Sequence, residues 1–144
     1  MPHRILFVCL GNICRSPTAE AVTRAKAQVL RCDVQIDSAG TAGWHIGKPP
    51  YDPMQDAAAA KGYDMSNLRA RQVTPADAHA FDLIIAMDDE NLRDLKAMGL
   101  PARLFTDYAL NSGVTYVPDP YYTRDFDGAL ALIEDCADGL LSTL

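Results

Sequence analysis

The sequence predicts a small doubly wound α/β domain, with a four-stranded parallel sheet and helices on both faces. Three observations carry this. Short apolar runs alternate with amphipathic stretches, the βα rhythm. One run, Leu83, Ile84 and Ile85, is continuous rather than alternating, as a parallel strand covered on both faces requires. A length of 144 residues, 49% hydrophobic and 22% charged, suits one ordinary core, so one domain over residues 1–144 is expected.

Residues 5–8 read as a first buried strand. Ser16 reads as an N-cap with Pro17 at the first helical position, and Val22, Ala25 and Val29 form an apolar face with 3,4 spacing. Val34 and Ile36 suggest a second strand. A Gly- and Pro-rich loop then runs through Trp44 to Asp52 and Pro53, a second cap-plus-proline start for an Ala-rich helix ending near Gly62. After the central strand of Leu83, Ile84 and Ile85, a helix over residues 89–98 is stopped by Gly99 and Pro101. Residues 102–105 are the fourth strand, and residues 117–122 a loop. The last helix keeps its apolar rhythm through Leu130, Ile133, Ala137, Leu140, Leu141 and Leu144.

Thirteen basic and nineteen acidic residues give a formal net charge of -6, which argues against general affinity for nucleic acid or anionic membranes. Any anionic ligand must then be captured by a local positive site. The apolar stretch after Arg4 is too short for a signal-peptide core or a membrane span, so a cytoplasmic protein is expected. Cys9, Cys14, Cys32 and Cys136 contain no C-x-x-C pair, and reduced thiols are the default. His3, His45 and His79 stand apart and read as surface or loop residues, so no metal site is supported.

The chemistry is concentrated at the end of the first strand, where residues 8–20 read V-C-L-G-N-I-C-R-S-P-T-A-E. Ligands of doubly wound sheets bind at the carboxyl ends of strands. Cys9 leaves the strand and Arg15 closes the loop, which also contains Leu10, Gly11, Asn12, Ile13, Cys14 and Ser16. Gly11 and Asn12 are the residue types that most readily accept positive φ, which lets successive backbone N–H groups converge on one anion. The following helix points its positive end there, and Arg15 supplies a planar charged fork for two phosphoryl oxygens. This is a phosphate loop after the first strand. The same field favours the thiolate of Cys9, an activated nucleophile. Ser16 could both cap the helix and donate a hydrogen bond to the sulfur. A phosphocysteine forms efficiently only if the leaving oxygen is protonated, and Asp119, between Pro118 and Pro120, is the candidate acid.

The loop motif, together with D-P-Y-Y at residues 119–122, resembles the low-molecular-weight protein tyrosine phosphatase family. Asp37-Ser38-Ala39-Gly40, Gly43-Trp44, Ile46-Gly47, Ala70-Arg71-Gln72 and Met87-Asp88 with Asn91 agree with it. The resemblance implies Cys9 as nucleophile, Arg15 as phosphate clamp and Asp119 as general acid and then base, with no cofactor. It further implies that Asn12 and Ser38 brace the loop, with Asp88 also in support. Trp44, Tyr121 and Tyr122 would wall a slot that only a long tyrosyl phosphate reaches, with ring contacts worth about 0.5–1.5 kcal/mol. The expected partners are phosphotyrosine-bearing proteins, tyrosine kinases among them, and the expected state is a monomer.

One departure stands out. Many members have a histidine two residues before Ala-Arg-Gln that helps hold the loop asparagine; here the residue is Leu68, which leaves the support of Asn12 open. Arg69 and Arg71 read as a solvated surface, with a phosphate-attracting patch as the alternative. An arsenate reductase on the same fold would need relay thiols near the third strand, and residues 81–99 have none. A phosphocysteine carrier or a phosphotyrosine-binding module would not need both Arg15 and Asp119. Magnesium-dependent phosphatases are disfavoured by the lack of D-x-D after the first strand, and P-loop NTPases by the missing G-K-[ST]. Finally, Cys14 is the thiol that sequence proximity places beside Cys9, so a reversible Cys9–Cys14 disulfide under peroxide is expected.

Overall fold

The computed structural model describes residues 2–144. Strand β1 (His3–Cys9) carries Ile5, Leu6, Phe7 and Val8 fully out of water, so a run of apolar residues without polar alternation occupies the middle of the molecule. Helix α1 (Arg15–Leu30) leads to β2 (Val34–Gly40), then come α2 (Asp52–Ala60), α3 (Asp77–Ala80) and β3 (Leu83–Ala86). Helix α4 (Asp89–Ala97), β4 (Arg103–Leu104), a 3-10 turn (Phe105–Tyr108), α5 (Pro120–Thr123) and α6 (Phe126–Ser142) complete the chain.

The four strands are parallel in the order β2-β1-β3-β4, with Phe7 in register with Ser38 on one side and Ile85 on the other. The chain leaves β1 toward β2 and returns across it to β3. The carboxyl end of β1 is therefore the topological switch point where such sheets hold ligands. Side chains alternate between two cores. Ile5, Phe7 and Ile85 pack against α1, α2 and α6 through Val22, Met54, Ile133 and Leu140, and Phe7 meets Phe105 at 5.0 Å between ring centroids. Leu6, Val8 and Ile84 pack on the other face with Leu95 and Leu100 around α4. Truncating a fully buried side chain such as Ile133 to alanine removes about 2–5 kcal/mol of such packing.

The doubly wound architecture agrees with the sequence, and several local expectations do not. Val29 is 84% exposed, because the buried face of α1 ends at Ala27 and its last turn lies in solvent. Tyr51, rather than Asp52, is the N-cap of α2. The fourth strand is only two residues long, since Phe105 turns into the core and the chain tightens into the 3-10 turn. Leu144 lies beyond the end of α6. The short α3 was not anticipated. Its Asp77 carboxylate accepts from the backbone N–H of Thr74 and from Arg71, two bonds that no apolar pattern announces. Among the described residues, no helix is long and apolar enough to cross a membrane.

Candidate active site

The loop between Cys9 and Arg15 is shaped by backbone geometry first. Asn12 takes the left-handed conformation at φ 56°, while Gly11 does not adopt positive φ as the sequence suggested. The missing side chain of Gly11 instead leaves room for His45, whose Cδ2 would lie 3.0 Å from a Cβ there. Gly40, at the end of β2, passes so close beneath the loop that a Cβ would lie 2.8 Å from the carbonyl of Leu10.

Ser16 is not the N-cap. Helix α1 begins at Arg15, two residues before Pro17, with Cys14 in the cap position and no side-chain cap. The N–H groups at this helix end have no side-chain cap to compete with an anion. The Ser16 hydroxyl is used elsewhere, 3.0 Å from the Cys9 sulfur.

Hydrogen bonding fixes the direction of each proton in this network. The backbone N–H of Arg71 can only donate, and it meets Asn12 Oδ1 at 3.0 Å. This turns Asn12 Nδ2 toward two hydroxyls, Ser16 Oγ at 2.7 Å and Ser38 Oγ at 3.0 Å. Ser38 passes its own proton to the Glu20 carboxylate at 2.7 Å, and that carboxylate also accepts from Arg24. Ser16, already accepting from Asn12, directs its proton at Cys9, with the Ala39 carbonyl a longer alternative at 3.4 Å. The backbone N–H of Asn12 also donates to the Cys9 sulfur, at 3.3 Å. Two donors thus face the sulfur. Glu20 was not singled out from the sequence as a site residue, although it closes the loop motif.

Arg15 is 3% exposed and is held from behind. Its Nη1 donates to Asp88 at 2.6 Å and to the Val117 carbonyl at 3.0 Å, and its Nη2 lies 3.5 Å from Asp119 Oδ2. Burial alone would lower an arginine's pKa, but the charges of Cys9, Asp88 and Asp119 outweigh it and hold Arg15 above its ordinary value. The guanidinium is thus a permanent cation in a poorly hydrated place. Asp88 and Asp119 each also serve as a helix N-cap, accepting from Asn91 N–H on α4 and Tyr121 N–H on α5.

Cys9, Arg15 and Asp119 share one cleft of about 190 Å³ with Leu10, Gly11, Ile13 and Cys14. Trp44, Tyr121 and Tyr122 form its walls, and their exposures of 68%, 42% and 70% place them at the mouth rather than in the core. His45, read from the sequence as a surface or loop residue, also lines the cleft. Asn12, Ser16, Ser38 and Asp88 support the loop from outside the cleft lining. Arg69 and Arg71 do not line it: Arg71 bonds Asp37 and Asp77, and Arg69 bonds the carbonyls of Ser66 and Leu68. Burial, with the charges of Cys9 and Asp119, pushes the Cys14 thiol up to about 12. Cys136, buried in α6, is likewise pushed up to about 12 by burial.

A family model described as low molecular weight phosphotyrosine protein phosphatase matches residues 4–144. The chain belongs to this family. It is 42% identical to the low molecular weight protein-tyrosine-phosphatase YfkJ of Bacillus subtilis, over 97% of this chain and 94% of that relative. The crystal structure of YfkJ superposes with a TM-score of 0.93, covering 99% of this chain and 94% of that one. Vibrio vulnificus Wzb in complex with benzylphosphonate is 30% identical, with a TM-score of 0.88 and full coverage of both chains. As a low molecular weight phosphatase, the chain departs from many members at Leu68, and the structure answers how Asn12 is held. Leu68 packs against the core, and the backbone N–H of Arg71 supplies the bond to Asn12.

Proposed function

We propose that this chain, acting as one monomeric domain over residues 1–144, hydrolyses phosphotyrosine in proteins, tyrosine kinases among them. The observation that carries the reading is the convergence of Cys9, Arg15 and Asp119 in one cleft walled by aromatic rings. In the first step the Cys9 thiolate attacks phosphorus, the S–P bond forms, the P–O bond breaks, and Asp119 gives its proton to the departing phenol oxygen. In the second, Asp119 takes a proton from water, the hydroxide attacks phosphorus, and the S–P bond breaks to release phosphate and the thiolate. Arg15 holds the equatorial oxygens through both steps. The supporting bonds of Asn12, Ser16, Ser38 and Asp88 require no movement as charge develops. A cytoplasmic, reducing setting belongs to this reading, because the mechanism needs a free thiolate.

The test compares kcat/KM for a phosphotyrosine peptide with that for the same peptide carrying phosphoserine, each with and without a chelator. A strong preference for phosphotyrosine, unchanged by chelator, is expected. Equal turnover of the two peptides, or loss of activity with chelator, contradicts it.

The reading includes reversible inactivation by peroxide. Peroxide oxidises the Cys9 thiolate to the sulfenic acid; Cys14 attacks that sulfur, an S–S bond forms, and hydroxide leaves. The attacking species is the Cys14 thiolate, and because burial holds that thiol above its ordinary value the thiolate fraction rises as pH rises. Disulfide closure should therefore accelerate by about tenfold per pH unit through the neutral range. Phosphate should protect, and Cys14→Ser should lose thiol rescue after prolonged oxidation. Peptide mapping without a Cys9–Cys14 linkage contradicts this.

A further inference from the structure

Among the described residues, Arg124 is one of three non-glycine residues with positive φ, at 64°, and it ends the one-turn helix α5 whose N-cap is Asp119. A side chain in that conformation persists where its surroundings hold it. The Arg124 guanidinium lies 5.4 Å from the ring centroid of Tyr51 and 5.0 Å from that of Phe126, and its Nη1 donates to the Tyr51 hydroxyl at 3.0 Å. Tyr51 reaches both sides of the cleft. Its ring packs on Tyr121 at 5.1 Å, and its backbone N–H donates to the carbonyl of Ile13 in the phosphate loop at 2.9 Å. Before Asp119 the acid loop is anchored at Val117, whose N–H donates to the Met87 carbonyl and whose carbonyl accepts from Arg15. After Asp119, two side chains tie the segment to Tyr51 on the phosphate-loop side: Tyr121 by ring packing, and Arg124 by the hydrogen bond and the stacked guanidinium.

We propose that Tyr51 and Arg124 are positioning residues that set Asp119 at proton-transfer distance from the leaving oxygen. The inference rests on the reading of Asp119 as general acid. Neither residue exchanges a proton with substrate. Their loss lets α5 swing about Val117 and carries the Asp119 carboxyl off its line to the leaving group.

Arg124→Gly is the direct test, because glycine keeps the left-handed backbone while removing the guanidinium. Measured as kcat/KM across aryl phosphates, it should cost about tenfold to a hundredfold on a phenol of high pKa, the scale of a misplacement of about 1 Å. On a strongly acidic phenol, which leaves without a proton, activity should be nearly unchanged. Tyr51→Phe keeps the stacked ring and loses only the hydroxyl bond, so it should show the same leaving-group pattern at smaller amplitude. Arg124→Lys, which keeps charge but not the planar stack, should not restore activity on the poor leaving group. A loss equal across all leaving groups assigns Arg124 to substrate capture or to general stability, and no loss on the poor leaving group removes it from the reaction; either overturns the proposal. Asp119→Asn measured in parallel separates the two readings. A leaving-group-dependent loss there with none in Arg124→Gly refutes the positioning pair alone, whereas no such dependence in Asp119→Asn refutes the acid and the pair together.

Discussion

Cys9→Ser is expected to reduce turnover by about 10⁴-fold to 10⁶-fold, the scale on which enzymes lose activity with their nucleophile. The loss comes from chemistry rather than from the fold. A serine hydroxyl fits where the thiol sits, and the donors that face the sulfur, the Asn12 N–H and the Ser16 hydroxyl, can bond an oxygen equally well. An alcohol is not ionised at neutral pH, however, so no nucleophile forms. Arg15 and the uncapped start of α1 remain, so the variant should still bind phosphate or vanadate and melt close to the parent. Calorimetric titration with vanadate, alongside turnover, separates these two outcomes. Retained turnover in Cys9→Ser contradicts the mechanism.

Asp119→Asn should cost about a hundredfold to ten-thousandfold on a poor leaving group, the range for losing a general acid. Asparagine is the informative replacement. Asp119 caps α5 by accepting the Tyr121 N–H at 3.1 Å, a bond that asparagine can keep, whereas alanine would add a capping loss of about 1 kcal/mol. The deficit should shrink as the leaving phenol becomes more acidic, because the first step then needs no proton. Values of kcat/KM, which report the first step alone, measured over a series of aryl phosphates give the slope, and a kcat/KM deficit independent of phenol pKa would reduce Asp119 to a helix cap.

What the sequence made legible and what it did not follow from the range of the interactions. The βα rhythm and the loop from Cys9 to Arg15 are local patterns, so a reader of the chain finds the architecture and the phosphate loop directly. Ser-Pro before an apolar run has the form of a cap, and the same Ser16 also reads as a donor to the Cys9 sulfur; the second role is the one its hydroxyl takes. The fold overrides the cap alone, since the hydroxyl turns to Cys9 and Asn12 and the helix starts earlier. The support of Asn12 comes from a backbone N–H 59 positions away, which carries no side-chain signature at all. His45 and the Tyr51–Arg124 pair are likewise products of tertiary packing, the latter bridging 73 positions. Glu20 was within reach: a carboxylate at the end of the loop motif, on the first turns of a helix that must bury it, calls for hydroxyl and arginine partners, and Ser38 and Arg24 provide them.

The phosphocysteine itself is the most direct measurement of the central claim. In Asp119→Asn, an aryl phosphate with a strongly acidic phenol can still phosphorylate the enzyme, while hydrolysis of the intermediate lacks its base. The intermediate should then accumulate. Rapid mixing should show a burst of phenol approaching one equivalent of enzyme, and quenched peptide mapping should place the phosphate on Cys9. Turnover with no burst, or a phosphate found on any other residue, would contradict the account.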